Sequence, residues 1–467
     1  MANAVLNSIA VDAEPKRPIV ELLTLAAPTV AQMASYTVMQ FIDTWMLSHL
    51  GVEEPTAAAN SGMMALSVLG FGMGVIWIVN TLVSQHFGRK DYRACGRYLW
   101  QGIWFAVVYS LLLLPFLPTA WKMFHLFGHS PQQVQLEGIY FRILLYAAVI
   151  KMTSTAFGQF LLAVNRPVEV FVAAVLGVGA NIIAAWIMVF GTLGVKPMGV
   201  AGAAWGQNIG VSFELLLLVA FALRPKLVAK FNALDWKPRP AVLRTLMLVG
   251  LPSGAQFIAD ILAWSLFCNV VIGRLGEKAM AANTFMIRYM VVSFMPAIGF
   301  ANAVTALVGR YIGAGKPEVA VQRAHLGFKV TAAYMMGCGV LFYIGRNQLI
   351  RVFSADPEIL RIGAMYLTFA AIYQLFDAMY IVYNGALRGA GDTFVPAVAT
   401  FGLCWGITVA GGFLAATFAP QFLAGPWVLA TVYGIILGLF IGGRFLKGKW
   451  KEIRLEGGAR ELVPQLG

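Results

Sequence analysis

Four acids, Asp43, Glu214, Asp260 and Asp377, lie inside long apolar runs. A carboxylate at mid-depth in a bilayer costs about 2.5–3.5 kcal/mol on insertion scales. A chain keeps one there when it is paired, faces a watery cavity, or holds a cation or proton. Asp377 has the richest surroundings. Its neighbours at helical spacing are Tyr373, Gln374, Tyr380 and Asn384, which makes one stripe of that helix polar. Asp260 shares a stripe with Gln256 and Ser253, and Glu214 shares one with Gln207 and Val211. Gln40 lies close before Asp43, and Asn181 and Asn283 are further polar groups in apolar runs. Carboxylates with neutral oxygens nearby are the chemistry of a cation or proton site. The plainer alternative is polar glue between helices.

Three basic residues also fall within apolar runs: Arg142, Lys151 and Arg288. An ammonium at mid-span needs an anion or water. Lys151 is expected to pair with Asp43 or Glu214, or to supply a charge that proton binding on an acid unmasks. Arg288 is expected to pair with Asp260 or Asp377.

These residues need a membrane scaffold. The chain of 467 residues is 59% hydrophobic and 12% charged, against about 25% charged in soluble domains. The runs lack the alternation of barrel strands, so the expected fold is an all-α polytopic membrane protein. Twelve spans are read at 19–49, 57–84, 97–120, 138–164, 167–191, 199–223, 242–273, 279–309, 325–345, 359–386, 394–418 and 425–446. Pro28, Pro252 and Pro296 are the expected kink sites. Met1 to Pro18 has no compact apolar core, so the first span is expected to be its own insertion signal.

The net charge of +13 does not point to nucleic acid, because the basic residues gather in the connections on one side. With the N-terminus inside, 24 Lys and Arg fall on that side, 7 on the other and 3 within spans. Both termini are therefore expected in the cytoplasm. Cys95, Cys268, Cys338 and Cys404 have no metal-like spacing. The histidines sit near segment ends, and no nucleophile–base set is clustered, which argues against an enzyme.

The chain repeats itself. SHLG ends at Gly51 and GRLG at Gly276. SQHFGRKDYRACGR has its first glycine at Gly88, and GRYIGAGKPEVAVQR has the matching one at Gly313. Both offsets are 225 (276 minus 51, 313 minus 88). An even number of spans per repeat gives two parallel halves: 1–224, a linker at 225–241, and 242–467. Parallel repeats enclose a cavity between halves, a common transporter design. The polar residues do not repeat: Asp377 corresponds to Lys151 to within one residue of that offset (377 minus 151 is 226), and Asp43 to Cys268.

Four glycine-rich segments in order, ALRGAGDTFVPA, LVGRYIGAGKPEVAVQRA, SQHFGRKDYRACGR and PMGVAGAAWGQNIG, make the chain resemble a multidrug and toxic compound extrusion (MATE) transporter over nearly its whole length. It is most similar to the NorM-like branch. The resemblance implies twelve helices in two six-helix bundles with pseudo-two-fold symmetry. It also implies exchange of small amphiphilic organic cations for sodium ions or protons, with no cofactor, in a bacterial inner membrane. A monomer in contact with membrane lipid is expected. The branch carries an acid eight residues after the LP proline of helix seven, here Asp260. It carries another eleven residues before the arginine of LRG, here Asp377. Asp43 in FIDT matches the helix-one acid. Asn181 is followed four residues on by Ala185, and Gln207 stands where members with an archaeal-type site bring a threonine. The expected ion site is therefore on the Asp260 and Asp377 side, with sodium preferred to protons and with Gln256, Asn283, Tyr380 and Asn384 as neutral oxygens. The alternative is a lipid-linked oligosaccharide flippase, which would need a basic cavity for pyrophosphate.

Overall fold

The computed structural model describes residues 17–51, 53–126, 129–453 and 455. The expectations for the N-terminal segment and the last residues of the C-terminal tail lie outside them. The described residues are helical, with no strand among them. The spans are α1 Pro18–Ser48, α2 Glu53–Gly88, α3 Tyr92–Phe116, α4 Pro131–Tyr146 with Ala148–Ala163, α5 Pro167–Phe190 and α6 Val200–Ala222. The second half has α7 Pro240–Leu275, α8 Glu277–Gly313, α9 Pro317–Arg351, α10 Pro357–Ala390, α11 Phe394–Phe418 and α12 Gly425–Lys447. Among the described residues, ten helices are long and apolar enough to cross a membrane, eleven with the bent pair of α4 taken as one span. The twelfth expected span, α1, is 31 residues long, but Glu21, Gln32, Gln40 and Asp43 make it more polar.

Proline sets many of the starts. Pro18, Pro131, Pro167, Pro240, Pro317 and Pro357 each open a helix, where a missing N–H costs nothing. Helix continues through Pro28, Pro252 and Pro296. The Tyr334 hydroxyl donates to the Val292 carbonyl at 3.0 Å, replacing the donor that Pro296 removes. The irregularities fall elsewhere. α2 is interrupted at Trp77, α4 bends by 49° at Ala147, and α7 and α11 contain π-helical turns at Phe267–Val271 and Cys404–Gly411.

The repeat is a symmetry of the fold. Lys90 and Gly315, 225 residues apart, both have left-handed φ, 63° and 71°. Gly88 lies against the Arg310 carbonyl, and its repeat mate Gly313 lies against the carbonyl of Gln85, the repeat mate of Arg310. This reciprocal crossing of α2 and α8 is what a two-fold axis between the halves produces. The linker carries a short helix, Pro225–Phe231. It is tied under α3 by Trp100 to the Ala233 carbonyl (2.7 Å), Trp104 to the Trp236 carbonyl (2.8 Å) and Gln101 to the Lys237 carbonyl (3.1 Å).

At the opposite end Asp356 caps α10. Its side chain accepts from the Glu358 and Ile359 amides at 2.8 and 3.3 Å and meets Lys278 at 3.1 Å. The Lys278 ammonium, then the amides, hold its carboxyl below the usual value. A depressed folded pKa stabilises above the unfolded value, about 3.9, and that contribution is lost as pH falls through the folded value. Asp356→Ala is therefore expected to melt earlier than the parent at neutral pH, with the gap closing as acid protonates Asp356. Melting in detergent across pH tests this; a gap that persists unchanged at the acid end refutes it.

Candidate functional site

In the second half, α7, α10 and α11 bring one polar cluster together inside the bundle. One Asp260 oxygen accepts from the Tyr380 hydroxyl at 3.1 Å. The other is buried with no hydrogen-bond partner. The Gln256 amide donates to Tyr380 Oη at 3.1 Å and to Thr400 Oγ1 at 3.0 Å. Asp377 is 5% exposed, lies beside the Tyr373 hydroxyl and is within electrostatic reach of Asp260. Helical spacing explains part of this, since Tyr373, Asp377 and Tyr380 recur on one stripe of α10.

Among the described residues no base forms an ion pair with either acid. Arg288 was expected to do so, but it is exposed on α8 and makes no ion pair among the described residues. The spacing along α8 does not say how the helix is rotated, and the rotation leaves Arg288 exposed rather than paired. Arg388, one turn beyond Asn384, is held by Asn302 Oδ1 (3.2 Å) and lies over the Trp77 ring at 5.4 Å. Two carboxylates within electrostatic reach of each other, with no ion pair among the described residues, one oxygen left over, and hydroxyl and amide oxygens alongside make a place for a small cation or a proton.

Two expected ligands behave differently. The Asn283 oxygen accepts from Trp427 Nε1 at 3.0 Å, so it serves a packing bond. Asn384 is half-buried on the right helix but makes no side-chain hydrogen bond. Thr400 joins the cluster through α11, and no spacing within its own apolar run marks it.

The first half has its own cluster. Gln207, read as a departure in the sequence, donates to Asp43 Oδ2 at 3.1 Å and to Tyr140 Oη at 2.9 Å. The other Asp43 oxygen is buried without a partner, as are both polar atoms of adjacent Asn181. Further along α1, the Tyr36 hydroxyl donates to Glu214 at 2.6 Å and accepts from Gln32 at 3.2 Å. The expected pairing of Lys151 with Asp43 or Glu214 is not formed. Its Nζ lies 5.4 Å from the Tyr36 ring centre, and Tyr36, which the sequence reading missed, occupies Glu214 instead.

The halves are bonded to each other at the linker end. Thr81 donates to the Arg388 carbonyl and Gln85 to the Gly389 carbonyl, both at 2.9 Å. Buried Arg310 donates to Asn165 Oδ1 at 3.0 Å. Glu21 accepts from Arg323 and Tyr311, each at 2.7 Å. Thr29 donates to the Gly299 carbonyl at 2.9 Å nearer the middle. Beyond the middle, away from the linker, no hydrogen bond joins the halves among the described residues.

Comparison with known proteins places this arrangement. The family model described as MatE matches residues 28–187 and again 252–414, once in each half. The "Probable multidrug resistance protein NorM" of Mesorhizobium japonicum is 27% identical, with 92% of each chain covered. The protein of the same description from Pseudomonas aeruginosa is 28% identical, over 93% of this chain and 90% of that one. Among solved structures, an outward-facing multidrug resistance MATE family transporter of the MOP superfamily superposes with a TM-score of 0.85. It is 19% identical, covering 93% of this chain and 97% of that one.

Proposed function

The chain belongs to the MatE family, and from that premise we propose that it is a multidrug efflux antiporter, exporting amphiphilic, mainly cationic compounds in exchange for sodium. The observation that carries the reading is the pair Asp260 and Asp377, half-buried and buried, within electrostatic reach of each other and with no basic ion-pair partner among the described residues. Such a pair holds either an organic cation or a coupling ion. Occupancy by one lowers affinity for the other, and exchange follows when the halves open to alternate sides. The bonding of the halves at the linker end supports a state closed on that side. Tyr380, Gln256 and Thr400 supply the neutral oxygens that favour sodium; protons on the same acids are the second reading. The flippase reading is the weaker one, because pyrophosphate calls for several clustered cations; Arg142 stacks over Trp121 at 4.5 Å, and Lys151 is a single half-buried ammonium in the first half.

Dye uptake into everted vesicles, driven by an imposed sodium or pH gradient, tests the coupling. Sodium-dependent uptake is expected in the parent. Asp260→Glu should retain it, and Asp260→Asn should lose its ion dependence. Export undiminished without sodium and collapsed by a protonophore moves the coupling to protons. Full retention in the Asn variant with loss in the Glu variant refutes a charge role for Asp260.

A further inference from the structure

One charge takes no part in this exchange. Lys151 stands fourteen residues before Asn165, and Asp377 fourteen before Gly391 (165 minus 151, 391 minus 377). Asn165 and Gly391 are the left-handed residues, φ 67° and 88°, that end α4 and α10. Helix runs unbroken from Lys151 to Ala163 and from Asp377 to Ala390. At about 1.5 Å per residue, both side chains therefore lie at one depth on equivalent helices of the two halves. The first half thus carries an ammonium where the second carries a carboxylate.

Lys151 is also placed to meet a ligand. Its Nζ lies over Tyr36 of α1, and Tyr36 is bonded to Glu214 of α6. The residue is half-buried on α4, against α1, whose Tyr36 is in turn held by α6. Among the described residues, no carboxylate comes within 4.0 Å of it. A ring face offsets only part of the cost of an ammonium at this depth. Glu214, the acid nearest along the chain of contacts, is already engaged by Tyr36. Lys151 Nζ is not among the buried unpartnered atoms, so it is open to an incoming anion.

We infer that Lys151 is an anion subsite that takes the acidic substituent, typically a carboxylate, of a zwitterionic amphiphile. The positive end of that molecule meets the acids of the second half. The inference rests on the export reading and narrows its substrate class. A carboxylate forms an ion pair with the Lys151 ammonium, whereas an ester carbonyl accepts from it without a negative charge and so binds more weakly.

The probes are a rhodamine with a free carboxylate and its methyl ester, which share the cationic ring system. Binding of each to the purified full-length protein is measured by fluorescence, and uptake of each by everted vesicles. Lys151→Met should lower the acid-to-ester affinity ratio by about tenfold or more, with the uptake ratio following. Lys151→Arg should restore most of it. An unchanged binding ratio in the Met variant overturns the subsite, as does a loss that falls equally on both probes. Absence of ester export in the parent overturns the export reading instead, and the binding ratio still decides the role of Lys151.

Discussion

Asp377→Asn is expected to give a full-length, folded protein that no longer couples an ion gradient to efflux. The amide matches the carboxylate in shape, and the side chain is almost wholly enclosed, so packing on α10 is unchanged. Removing a charge from mid-membrane makes insertion easier. What is lost is one of two negative charges within electrostatic reach of each other, with no basic ion-pair partner among the described residues. Charge-assisted bonds contribute about 1.5–3 kcal/mol each, so cation affinity should fall about tenfold to hundredfold, with gradient-driven efflux falling at least as far. Dye accumulation in cells, at expression matched by immunoblot and with melting measured in detergent, separates this from misfolding. Efflux at the parent rate would reduce Asp377 to a packing residue.

The second large effect is expected from Gly313→Val, far from any acid. A Cβ at Gly313 meets the backbone carbonyl of Gln85, which no rotamer change can move. The extra branches of valine add to the overlap. Overpacking costs about 1–3 kcal/mol, and each 1.4 kcal/mol is a tenfold change in a population. The strain lies between the halves, so it opposes the state in which they are bonded at the linker end. Efflux should fall at least tenfold while cation binding by the purified protein persists. The distance between spin labels on α2 and α8 at the linker end should increase. Gly179→Ala is the control, because nothing lies within 4 Å of a Cβ there. Unchanged spin-label distances and efflux in the Gly313 variant would show that the crossing yields at little cost.

Composition and apolar run length determine a helical membrane protein, since hydrocarbon leaves the backbone few other ways to satisfy its hydrogen bonds. The 225-residue repeat was legible because it is carried by glycines and turns. A backbone contact at positions 88 and 313 leaves no room for a Cβ, so glycine recurs there, while the left-handed turn beside it is Lys90 in one half and Gly315 in the other. The acids were legible because a charge inside an apolar run is conspicuous. Partnership was not legible. Period 3.6 shows which residues share a stripe of one helix, and that correctly grouped Tyr380 with Asp377. It does not fix the rotation of one helix against another. Tyr380 meets Asp260 across 120 residues and Tyr36 meets Glu214 across 178. Arg288 is left exposed, Asn283 is taken by Trp427, and Gln207 holds Asp43. Those outcomes were decided by helix packing, because each depends on the angle at which two distant apolar surfaces meet.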